Sequence, residues 1–90
     1  MKPMGPVLVL NTGSSSVKFT LHEGTAAVLR GEIDRVGLAP SFRASDAAGG
    51  MVPGPDLARD PPADPGAAAL RLLPWLVEAA GRPPAAVGHR

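Results

Sequence analysis

Val7-Leu8-Val9-Leu10-Asn11-Thr12-Gly13-Ser14-Ser15-Ser16-Val17-Lys18-Phe19 is the stretch on which the fold turns. Its first four residues form a continuous apolar run, the pattern of a strand buried on both faces. Asn11 to Ser15 then gather turn formers. From Ser16 the pattern alternates: Val17, Phe19 and Leu21 point inward, and Ser16, Lys18 and Thr20 point to the other face. Strand, tight turn and strand make an antiparallel hairpin.

Downstream, Glu23-Gly24 punctuates the chain, and a third strand follows in which Ala27, Leu29, Gly31 and Ile33 alternate with Val28, Arg30, Glu32 and Asp34. Residues 7–37 therefore read as a three-strand antiparallel meander. Residues 38–64 are rich in Pro and Gly and read as surface loop, with short edge strands at Ser41–Arg43 and Gly50–Pro53. A helix is predicted over 65–81. Asp64 is its N-cap, Pro65 occupies N1, where no amide proton is needed, Gly81 sits at C′, and Pro83-Pro84 block continuation. Leu70, Leu73, Val77 and Ala80 are its expected buried stripe, and Pro74 is expected to bend it. Residues 85–90 read as a small-residue strand returning to the sheet, parallel to the first, which makes the fold class α/β.

Composition narrows the function. Nine Lys+Arg against eight Asp+Glu give a net charge of +1, so there is no bulk electrostatic case for nucleic acid or an anionic membrane. No apolar run approaches the roughly 18 residues of a spanning helix, and no signal-peptide core precedes Asn11. The absence of Cys excludes disulfides and thiol chemistry. The expected location is intracellular. The hydrophobic share of 44% includes fifteen alanines, so the large apolar side chains are few. A first strand apolar on both faces needs cover on both, yet the chain offers one helix. The second face is expected to meet a partner or polypeptide continuing after Arg90.

Chemistry concentrates in the first turn. Gly13 has no Cβ and lets backbone approach a ligand. Successive amides with the hydroxyls of Ser14, Ser15 and Ser16 can form an anion-binding concavity. Asn11 offers an amide oxygen to a hard cation such as Mg²⁺ or to its water shell, and Lys18 offers a point charge to phosphate. A serine-rich hairpin loop with a solvated Lys18 is the alternative reading of the same residues. A Walker A loop is excluded, because no second Gly precedes Lys18 and no helix follows. The frame of a nucleophile elbow is also missing.

The segment from Val7 to Phe19 resembles the N-terminal signature of the acetate kinase family, short-chain acyl kinases of the actin-like ATPase superfamily. Ala86-Val87-Gly88-His89-Arg90 is similar to that family's next block, and Gly31-Glu32-Ile33-Asp34-Arg35-Val36-Gly37 to its third strand. The resemblance covers nearly the whole chain but only about the first quarter of a family member. It implies a partial ribonuclease H-like (actin-like ATPase) domain and reversible phosphoryl transfer between ATP and a short carboxylate, usually acetate, with Mg²⁺. It further implies metal binding at Asn11, nucleotide-phosphate binding by Gly13, Ser14, Ser15, Ser16 and Lys18, and carboxylate or phosphoryl binding at Arg90. No catalytic residue is assignable within these 90 residues, and the chain by itself is expected to be inactive. A cytoplasmic homodimer is what the family implies for a full-length member.

Propionate or butyrate kinases fit the same motifs. A non-catalytic phosphate- or partner-binding module is the competing class. An actin- or chaperone-like ATPase fits less well, since those proteins typically carry Asp at the position of Asn11. His22 and the charged loop residues Asp56, Arg59 and Asp60 read as solvated surface. Trp75 reads as helix packing, and His89 as a structural neighbour of Arg90.

Overall fold

The computed structural model describes residues 5–57 and 59–89. Its elements run β1 (Val7–Thr12), β2 (Val17–Glu23), β3 (Ala26–Asp34), β4 (Ser41–Asp46), α1 (Pro65–Ala80) and β5 (Ala86–His89). They form a small α/β domain with one mixed five-stranded sheet in the order β4-β3-β2-β1-β5. The ladders β1–β2, β2–β3 and β3–β4 are antiparallel, and β5 lies parallel to β1.

Alternation along the strands builds the core. Leu8 and Leu10 of β1 stand opposite Leu21 and Phe19 of β2, and Leu29 and Ile33 of β3 continue the same face. All six are buried, under Ala68, Leu72 and Leu76 of α1. Three rings close one end of this layer. Phe19 stacks on Phe42 with centroids 6.0 Å apart, and Trp75 meets Phe42 edge-on at 4.9 Å. The Trp75 Nε1 donates to the Pro53 carbonyl at 2.8 Å, so its polar atom is also satisfied. Trp75 thus packs the helix, as its sequence position predicts.

The Phe19 ring needs room beneath it, and Gly31 provides that room. A Cβ at position 31 would come within 2.7 Å of Phe19 Cζ and 2.3 Å of the Arg43 carbonyl oxygen. Large rings and a glycine are therefore parts of one packing solution, not independent choices.

Several expectations change. The edge strand expected at Ser41–Arg43 is present and longer, β4 running to Asp46, and its Phe42 and Ala44 pack inward while Arg43 bonds outward to Glu32 at 2.9 Å. The second edge strand reduces to one bridge, Ser45 to Met51. A register shift at Leu21/His22 pairs His22 with Ala27, and Val28 instead packs against the core. His22, expected to be solvated, is half-buried near the end of β2. On β1, Val7 and Val9 are half-buried, because α1 covers only the opposite face.

The helix begins and ends as predicted. Asp64 accepts from the Ala67 amide at 2.8 Å, and Gly81 adopts φ 82 while its amide reaches the Val77 carbonyl. Its buried face differs from the predicted one: Ala68, Leu72 and Leu76 are inward, whereas Leu70 is 69% and Val77 38% exposed. Leu73 and Ala80 pack only at the margin of the core. Pro74 supplies a reason. It cannot donate to the Leu70 carbonyl, and with Leu70 and Pro74 both on the exposed side that carbonyl can take a water. Small Ala68 then lets the helix approach the sheet closely. The helix is continuous across Pro74.

Candidate functional site

The β1–β2 connection is Gly13-Ser14-Ser15-Ser16, closed by a bond from the Gly13 amide to the Ser16 carbonyl at 2.8 Å. Gly13 does not have a positive φ. What the position requires is space: a Cβ there would sit 3.0 Å from Ser16 Oγ, which occupies that side of the turn. Ser14 and Ser15 are exposed, and their amides donate to no protein acceptor among the described residues. The turn thus holds amides with no protein acceptor among the described residues together with hydroxyls, the composition of an anion-binding concavity.

Register places the two other predicted residues together. Asn11 is the direct partner of Lys18 across the β1–β2 ladder. Opposed residues of an antiparallel pair share a face, so both stand on the face away from α1. On its other side Lys18 faces Glu32 of β3. That carboxylate is held by Arg43 at 2.9 Å, and Lys18 makes no ion pair among the described residues. Lys18 is exposed and follows the turn by two residues. Beside it, Lys18, Thr20, Arg30, Glu32, Arg43 and Met51 border a shallow concavity of about 460 Å³ on the same open face.

A second loop buttresses the turn. The Val36 amide donates to the Ser15 carbonyl at 2.9 Å, and Val36 is buried. This contact fixes the outer edge of the turn from the end of β3. In the sequence Asp34-Arg35-Val36-Gly37 reads only as the end of the strand meander. No periodic signal marks its approach to Ser15, since the contact depends on how far β3 extends past β2.

Asn11 is exposed, and among the described residues no three acidic, histidine or cysteine side chains converge on a metal position. Of the other singled-out residues, Asp56 and Asp60 lend their carbonyls to Arg71, which ties the loop to α1. His89 lies in β5 opposite Leu10. Arg90, the predicted carboxylate-binding residue, lies outside the described residues. Among the described residues no helix is long and apolar enough to cross a membrane. Compared with known proteins, the chain matches no protein-family model and no curated protein.

Proposed function

We propose that the chain is the N-terminal part of an acetate-kinase-like phosphotransferase, with a ribonuclease H-like (actin-like ATPase) architecture. The observation that carries this reading is the register pairing of Asn11 with Lys18 beside a turn whose Ser14 and Ser15 amides have no protein acceptor among the described residues. The coarse fold supports it as well: an antiparallel meander leads into a helix and then a strand parallel to the first.

Transfer of a phosphoryl group between ATP and a short carboxylate demands placement and charge neutralisation more than covalent chemistry. In this reading the amides and hydroxyls of Ser14, Ser15 and Ser16 seat the nucleotide's phosphates, and the Lys18 ammonium neutralises them. Mg²⁺ fits Asn11 as a single oxygen donor, with the remaining positions left to water and phosphate oxygens. Bound there, it would supply further neutralisation of the phosphate charge. Arg90 receives the carboxylate or the phosphoryl group in transit, a task that suits a planar guanidinium fork. The cytoplasmic location, the homodimer and the choice among acetate, propionate and butyrate belong to the same proposal.

Two measurements test it. Adding ADP with Mg²⁺ to the chain should shift the amide NMR signals of Gly13 to Lys18 before any others. The product of the full reading frame that contains these residues should form acyl phosphate from ATP and acetate, trapped as the hydroxamate, while the 90-residue chain alone should not. Unmoved turn signals would remove the basis of the proposal. Shifts in the turn with no acyl phosphate from the full reading frame would reduce the protein to a phosphate-binding module.

A further inference from the structure

We infer that Arg35 is a second cation of the phosphate site, gripping the distal phosphate of a di- or triphosphate tail whose other phosphate meets Lys18. This rests on the phosphotransferase reading of the turn and adds to it a residue and a ligand preference. Among the described residues Arg35 is the one non-glycine with a positive φ, 53°. L side chains rarely adopt that region, and outliers of this kind cluster where ligands are clamped. A glycine would sit there without strain, as Gly37 does two residues later at φ 90. The backbone around Arg35 is held at several points: its amide donates to Asp34 Oδ1 at 2.9 Å, its carbonyl accepts from Leu38, and the next amide is the strut to Ser15.

That strut sets the geometry. Arg35 is one residue from a 2.9 Å bond to the phosphate turn, so its Cα is held beside Ser15. Its side chain is exposed and makes no ion pair among the described residues. The adjacent Asp34 carboxylate is occupied with backbone. Lys18 leaves β2 two residues after Ser16, on the face away from α1, and Arg35 leaves the loop bonded to Ser15, so both cations arise on segments that adjoin the turn. A lone orthophosphate uses one of them well; two linked phosphates use both. The guanidinium is suited to the terminal phosphate because it can bind two oxygens at once.

The test titrates the 90-residue chain with pyrophosphate and with orthophosphate, following the Ser14 and Ser15 amides. The unaltered chain should prefer pyrophosphate. Arg35→Gln should weaken pyrophosphate binding about tenfold while changing orthophosphate binding little, since a charge-assisted bond is worth roughly that factor. Arg35→Lys should restore part of the loss. Arg35→Gly relieves the backbone and should raise the melting temperature, yet lose pyrophosphate as Arg35→Gln does, which separates a ligand role from a turn role. Lys18→Ala should weaken both anions. If Lys18→Ala loses binding while both Arg35→Gln and Arg35→Gly bind pyrophosphate normally, the role of Arg35 is overturned and the parent reading stands. If the unaltered chain binds neither anion, both fall.

Discussion

Asn11 and Lys18 face one another across the β1–β2 ladder, on the sheet surface that the helix leaves open. A one-residue slip in this ladder would send one of them into the core, because side chains alternate between faces. The register is held by the pairs on either side of it, buried Leu10 with buried Phe19 and half-buried Thr12 with buried Val17. Core packing therefore fixes the position of two polar residues that never touch the core.

Lys18→Ala should weaken binding of ADP or pyrophosphate at least tenfold, because it removes a charge-assisted contact worth about 1.5 kcal/mol or more. The side chain is exposed, so the urea midpoint should move by less than about 0.5 kcal/mol equivalent. A variant that unfolded with the loss of binding would argue for a structural lysine instead.

Leu72→Ala should destabilise the fold by about 2–5 kcal/mol, the cost of emptying a buried site. Leu70→Ala, at 69% exposure, should stay within about 0.5 kcal/mol. Urea unfolding of the two variants side by side decides which face of α1 meets the sheet.

This contrast marks where the sequence was legible. Strand alternation through Val17, Phe19 and Leu21, the Asp64 cap and the Gly81 stop are local signals, and the structure follows them. The observed helix stripe differs from the predicted one because spacings of three and four fit overlapping faces. Which face turns inward depends on Pro74, which cannot donate to the Leu70 carbonyl, and on the small size of Ala68, neither of which enters a periodicity count. Ser41–Arg43 reads as a short edge strand, and the extension of β4 to Asp46 is not legible because its evidence is non-local: Arg43 bonds to Glu32, eleven residues earlier. Within the site, the turn and the side of Lys18 were readable from alternation. The strut from Val36 to Ser15 was not, since nothing in either segment alone announces it.

Gly31→Ala should cost about 3 kcal/mol or more, at the upper end for overpacking, because the new methyl meets backbone at 2.3 Å as well as a ring at 2.7 Å. Pairing it with Phe19→Leu should recover only part of the loss, since the Arg43 carbonyl stays in place. Thermal unfolding of the single and double variants measures that fraction.

Pro74→Ala should stabilise the helix by roughly 1–3 kcal/mol, because the new amide can reach the Leu70 carbonyl and the site is on the exposed side. Slower exchange of neighbouring helical amides with deuterium should accompany the gain. An unchanged melting temperature would mean that water already satisfies that carbonyl fully.

The parallel pairing of β5 with β1 joins residues at opposite ends of the chain, Val7 with Ala86 and Leu10 with His89. The serine turn, by contrast, is enclosed in a hairpin between near neighbours. Closing a short loop is entropically cheaper than closing a long one. During folding the turn can thus take shape in the nascent hairpin, well before β5 docks beside β1.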